Sequence, residues 1–422
     1  MGKGLKCLAL CALIVVTALS LQGCWDQQEV ERLGIVLTTA IDLAPDGRVM
    51  LTVQVVNPKS LVGGGVGGVG GVGGGVGGAR GFRNVSVEGS TIFDCIRLLS
   101  LESPRELYFA HNMAIMISEE FARNRGIEEI MDFFERNPQI RRNNYVLIAR
   151  SDISSILETP GELVPPPSQV IASTIRQQRL SSYYPDVQLG DFLETLETEG
   201  SDAYAAGIQV EPNEAEVRDK ISGSSSLLDG RPKPIGAIIK IGGTAVFKGN
   251  KMAGWLDERE SRGLLWVKGR VKGGVITVPC ISGEGGVEGP RFSLEIIRNA
   301  SKIQPELTEG ELGVTVRVDI QANILEAECP EELDKPEVIA SIEQLLATAV
   351  QGEVEDALTK AQREYKADVF GFGTVFHRKY PVVWKEIKEN WIDIYPGLPV
   401  YIEVNAVITR TGLVNKPAQV RR

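Results

Sequence analysis

One stretch limits the possible folds more than any other: PEVIASIEQLLATAVQGEVEDALTKAQREYKAD, from Pro336 to Asp368. Val338, Ile342, Leu345, Ala349, Ala357, Ala361 and Tyr365 recur at helical spacing, and Pro336 suits a first helical position. Some 30 residues at about 1.5 Å each give roughly 45 Å, enough to cross a whole sheet, with Gly352 as a soft point near the middle. The sheet is supplied by two long strand-like runs just upstream, RFSLEIIRNAS and LGVTVRVDIQANILEAE. Downstream, Trp384, Ile387 and Trp391 share one helical face that reads as core, and LPVYIEVNAVITRTG reads as a half-buried edge strand. Residues 289–415 are therefore expected to form a C-terminal α+β domain with a long helix across a sheet, followed by a tail at 416–422.

The rest of the chain divides by composition. From residue 24 to 215, strand-like runs (LGIVLTTAIDLA, RVMLTVQVVN, FRNVSVEG, MAIMIS, NYVLIAR) alternate with helical ones (STIFDCIRLLS, GIEEIMDFFER), which predicts an N-terminal α/β domain. Pro165, Pro166 and Pro167 interrupt it, and two amphipathic helices follow, around Ser168 to Leu180 and Gln188 to Glu197. The run Gly63 to Gly78 contains only glycine and valine; without a GK[ST] ending or a strand-to-helix context it is no phosphate loop, and a disordered loop over 63–80 is expected. A polar linker over Val217 to Pro234 opens a middle domain at 216–288, with strands IGAIIKIGG, TAVFKGN and KMAGWL and a helix at WLDERESRGLLW. The fold class is α+β, multi-domain, with mixed sheets packed by helices.

The first 23 residues have the layout of a cleaved secretory signal: Lys3 and Lys6, then an uncharged apolar run from Cys7 to Leu21 that is shorter than the ~20 residues of a spanning helix. Leu21-Gln22-Gly23-Cys24 resembles a bacterial lipobox, in which the Cys24 thiol would carry a diacylglyceryl group; two chains give stable anchoring where one does not. Removing Lys3 and Lys6 leaves 43 basic against 55 acidic residues, a charge of −12 that disfavours nucleic acid. Cys95, Cys280 and Cys329 then remain, an odd number without CxxC spacing, which points to neither a zinc site nor a disulfide framework; Cys95 reads as a buried core thiol.

Catalytic candidates are sparse. His111 and His377 are the two histidines, with no HxxxH or HExxH partner, and both read as structural. Asp257, Glu258 and Glu260 form the tightest carboxylate cluster; Asp257 and Glu260 have capping-box spacing, with Leu264 and Leu265 on the inner face, and read as a helix start. Gly371 and Gly373 in DVFGFG read as the turn that ends the long helix. No catalytic site, cofactor or metal is expected, and an anchored hydrolase is disfavoured.

CWDQQEVERLGIV after the lipobox, SPRELYFAHNMAIMISEE, AVFKGNKMAGWLDERESRGLLWVKGRVKGGVITV, and YKADVFGFG with FHRKYPVVWKEIKENW together resemble the Ger(x)C spore germination lipoproteins, the C subunits of nutrient germinant receptors. The resemblance runs from Cys24 to about Gly412. It implies a three-domain α+β lipoprotein on the outer face of the spore inner membrane, working with two membrane-embedded subunits, one of them transporter-like. Only Cys24 carries a defined chemical role over. The glycine/valine tract departs from the family. The competing class is a solute-binding lipoprotein of an import system, which requires two similar α/β lobes joined by crossing hinge strands.

Overall fold

The computed structural model describes residues 32–56, 81–159, 167–213, 236–281 and 289–411, together with four positions near the start and the dipeptides 227–228 and 231–232. The signal layout, Cys24, the glycine/valine tract and the tail lie outside the described residues.

The first sheet starts with a meander, β1 (Leu33–Leu43), β2 (Val49–Val56) and β3 (Phe82–Gly89). On its other side β1 pairs in parallel with β5 (Ala114–Ser118), which is followed by β6 (Tyr145–Ala149) and β7 (Tyr204–Pro212), while the short β4 (Glu106–Tyr108) pairs with the start of β1. Two antiparallel strands, β8 (Ala237–Lys248) and β9 (Lys251–Leu256), complete the order β9-β8-β7-β6-β5-β1-β2-β3. β5 is buried at every position and β6 at four of five, as expected of central parallel strands covered on both faces. One face carries α1 (Ile92–Glu102), α2 (Glu119–Asn124) and α3 (Glu128–Arg136). The other carries α4 (Ile153–Glu158) and α5 (Pro167–Arg176), whose Ile153, Ile156, Ile171 and Ile175 meet Met116, Leu147 and Ile208. Helix α6 (Leu189–Glu197) closes this region. In α1 the buried face is Ile92, Cys95 and Leu99; Phe93 instead points outward at 57% exposure.

The second sheet has the order β10 (Val275–Pro279), β11 (Arg291–Thr308), β12 (Glu311–Ala327), β13 (Val400–Arg410). The first three are antiparallel and β13 returns parallel to β12, a connection that needs a crossover; α8 (Pro336–Leu358) provides it. From the span 216–288, then, β8 and β9 extend the first sheet while β10 opens the second. A single hydrophobic core runs from the first sheet through α7 (Glu258–Val267) into the second, so the two halves pack as one body. The described residues do not form the two hinged lobes that solute capture requires.

Two local expectations change. The buried stripe of α8 keeps the expected Ile342 and Ala357, but between them it runs through Leu346, Val350 and Val354, with Leu345 and Ala349 only half-buried beside it, where α8 turns Glu353 inward toward α7. The α-helix also passes into a π-helical turn at Thr359–Glu364, and Lys366, at φ 53°, is the left-handed residue that follows it. Gly371, at φ 75°, instead caps the next helix, α9 (Phe372–Lys379).

Cys280 and Cys329 form a disulfide across 49 residues, which corrects the expectation that the cysteines form no disulfide framework. The register places Pro279 against Arg291 and Phe292 against Ala327, so the ends of β10, β11 and β12 bring the two cysteines together, a proximity invisible to spacing rules. Cys95 is a free buried thiol whose Sγ reaches the Val49 carbonyl at 3.5 Å.

A candidate functional cleft between the two halves

The DVFGFG turn lies against the N-terminal half. Asp368 is 3% exposed, and its carboxylate accepts from the backbone N–H of Gly371 (2.8 Å), Phe372 (2.9 Å) and Gly373 (2.8 Å) and from Trp391 Nε1 (3.1 Å). The three successive N–H groups form an anion nest at the start of α9, with Gly371 in the left-handed conformation that opens it. Asp202, from the segment before β7, accepts from Asp368 N at 2.7 Å and from Gly249 N at 2.8 Å, and donates its own N–H to the Asp368 carbonyl at 2.9 Å. Burial pushes the Asp368 carboxyl up to about 6, against its four donors, and pushes Asp202 up as well.

Gly200 and Gly373 stand back to back here. A Cβ at either would fall 2.7 Å from the other's backbone, so any side chain would force the halves apart. Above them Trp384 and Trp391 pack with ring centroids 5.4 Å apart, Trp384 on α10 (Pro381–Ile387) and Trp391 on α11 (Trp391–Ile394). Both are buried and Ile387 packs beside them, as expected of a core face. Lys388 holds Glu199 at 3.2 Å and lowers its pKa. The result is a cleft of about 360 Å³ whose walls include Asp202, Lys248, Lys366, Lys388 and Tyr395. The buried Tyr395 hydroxyl has no hydrogen-bond partner among the described residues, and burial raises its pKa well above the usual phenol value.

Two further joints reinforce this one. Arg262 on α7 meets Glu353 on α8 through both carboxylate oxygens, Nε to Oε2 at 2.8 Å and Nη2 to Oε1, while Trp266 Nε1 donates to Oε2 at 2.9 Å. Gly263 makes the approach possible, since a Cβ there would collide with the Glu353 carbonyl. At the sheet edge, the Tyr365 hydroxyl donates to the Trp255 carbonyl (2.9 Å) and accepts its N–H (3.1 Å).

The remaining candidates separate cleanly. Asp257 and Glu260 form the expected capping box, with reciprocal bonds of 2.8 Å, and Glu258 sits in the first turn as a partner of Lys240 at 3.1 Å. His111 is exposed, 5.9 Å from the Tyr108 ring, and His377 stacks on Trp384 at 5.7 Å; the structure brings neither to a nucleophile or to the other. Asp202 and Asp368 were not singled out from sequence. The usable signal was the Asp followed at three and five positions by glycine, an anion-nest pattern.

Family profiles match both halves: "Spore germination protein N-terminal domain" over residues 26–210 and "Spore germination B3/GerAC like, C-terminal" over 242–412. The chain belongs to the Ger(x)C family. Relatives in Bacillus subtilis (strain 168) include spore germination protein KC, 28% identical over 415 residues, covering 98% of this chain and 97% of the relative. Spore germination protein B3 is 24% identical over 402 residues, covering 94% and 96%, and spore germination protein A3 is 24% identical over 410 residues, covering 96% and 97%. The crystal structure of the GerBC protein shares the fold, with TM-score 0.54 and 18% identity, over 88% of this chain and 96% of that one. In this Ger(x)C chain the gap between the two profile matches, 211–241, runs from the end of β7 into the first half of β8, neighbours in one sheet. The two family regions therefore meet inside continuous hydrogen-bonded structure.

Proposed function

We propose that this chain is a lipid-anchored, non-enzymatic subunit of a nutrient germinant receptor, held through Cys24 on the outer face of the spore inner membrane beside two membrane-embedded subunits. The observation that carries this reading is the end-to-end similarity to spore germination proteins, 98% of the chain in the case of protein KC. The LQGC stretch supports the anchor, and no helix among the described residues is long and apolar enough to cross a membrane. The Cys280–Cys329 disulfide fits a chain that folds outside the reducing cytoplasm. The carboxylates at the junction are occupied by backbone and indole donors, an arrangement suited to holding two halves in fixed relation. Such a body acts by contact with its neighbours at the bilayer. The test is deletion of the chain in spores that retain only its own receptor: nutrient response should be lost, while a trigger that bypasses receptors still works. A normal nutrient response with partner subunits at ordinary levels contradicts the proposal.

A further inference from the structure

We infer that a second groove between the two halves is a binding site for a dianionic phosphate group. The groove has a volume of about 530 Å³ and runs between α6 of the first half and α9 and β11 of the second; Ser201 lines both it and the cleft described above. Helical spacing sets two of its walls. Asp191 and Glu194 share one face of α6, and Arg378 lies one turn beyond Thr374 on the groove face of α9. Lys302 comes from β11, and Lys268 and Arg270 from the segment that leaves α7, where Gly269, at φ 64°, lets the backbone approach Ser301.

All four cations belong to the second half and both carboxylates to the first, so the groove carries two net positive charges in a chain that is acidic overall. Asp186, whose charge also acts on Arg270, is already held by Lys272. The fold does not consume these cations. Lys302 and Arg378 are exposed and meet no acidic partner among the described residues. Arg270 reaches Asp191 only at 3.5 Å, and Lys268 donates one of its three N–H groups to the Phe370 carbonyl at 3.3 Å. The hydroxyls of Ser201, Ser301 and Thr374, by contrast, donate to backbone carbonyls. Recognition here is therefore by charge. Two net charges match a phosphate monoester or inorganic phosphate, about −1.5 to −2 near pH 7, better than a single carboxylate, and guanidinium and ammonium groups together suit its oxygens. The buried Tyr204 and Phe370 along the groove supply low-dielectric walls that concentrate the field.

The test is thermal melting of the full chain in nonionic detergent at fixed ionic strength. One arm titrates inorganic phosphate against chloride, and the other compares mixed micelles containing phosphatidic acid with micelles containing phosphatidylcholine. Phosphate should raise the melting temperature saturably where chloride does not. Arg378→Gln or Lys302→Gln should raise the half-saturating concentration about ten-fold or more, as expected for a lost hydrogen bond to a charged group. Arg136→Gln, on the exposed surface of α3, should leave it unchanged. Melting of each variant without phosphate checks that it folds. A response to phosphatidic acid alone, weakened by the same two variants, keeps the site and assigns the phosphate to a lipid headgroup. No response in either arm, or an equal response in the Arg378 and Lys302 variants, overturns the site.

Discussion

The guanidinium of Arg262 and the carboxylate of Glu353 form a two-pronged ion pair at 10% and 2% side-chain exposure, and this pair ties α7 to α8. A pair buried to this degree stabilises little relative to an apolar substitute, but leaving one partner alone is costly. Glu353→Ala should therefore destabilise the protein by about 3–5 kcal/mol, while Arg262→Met with Glu353→Leu should recover much of that loss. Urea unfolding of the two variants measures the difference. Equal losses would mean that the pair is not isolated from water.

Midway along α8 the buried stripe passes through Leu346 and not Leu345. Leu346 is 0% exposed, whereas Leu345 is half-buried at the margin. Leu346→Asp places an unpaired charge in the core and should prevent folding of the C-terminal half, and Leu345→Asp should cost markedly less. Expression and thermal melting of the pair distinguish them, and the reverse order would restore the stripe drawn from sequence.

At the junction, Asp368 titrates near 6 in the folded chain and near 3.8 when unfolded. The folded state thus binds more protons in that window, so the stability contributed by Asp368 is complete below about 3.8 and declines as pH rises through about 6. Asp202, raised in the same direction, adds to the slope. Asp368→Asn should flatten the dependence of the urea midpoint on pH in this window. It should also cost about 1–3 kcal/mol, because an amide N–H₂ would face N–H donors. An unchanged slope would assign the dependence to other groups.

The glycine/valine tract should be dispensable for folding. Val56 and Phe82 are already paired across the hairpin, so a loop of a few residues can join them. Shortening Gly63 to Gly78 to two or three glycines should leave the melting temperature equal or slightly raised, since the loop's closure entropy varies slowly with length. A large fall would mean that the tract packs against the fold.

Features encoded within a few residues were legible in the sequence. The Asp257/Glu260 capping box, the buried α7 leucines and the strand–helix alternation of the first half each depend on local spacing and appear where that spacing put them. The long helix was legible as an element, and its facing at Ile342, Ala357 and Ala361 but not between them. Apolar residues at 345, 346, 349 and 350 allow two stripes, and the choice between them is made by Gly263 and Arg262 some 90 residues away. The disulfide and the Asp202–Asp368 clasp were hidden for the same reason: they join residues 49 and 166 apart, and only the strand registers bring them together.

The proposal that this chain works from the membrane surface as part of a germinant receptor is tested most directly by removing the thiol that would carry the lipid at Cys24. In spores whose only nutrient receptor includes this chain, Cys24→Ala should leave the protein in the spore extract but lacking its lipid by mass spectrometry. The fall in optical density that follows nutrient addition should then be slowed severely or lost. A Cys24→Ala strain that germinates at the parental rate, with the unlipidated protein confirmed, would contradict the account.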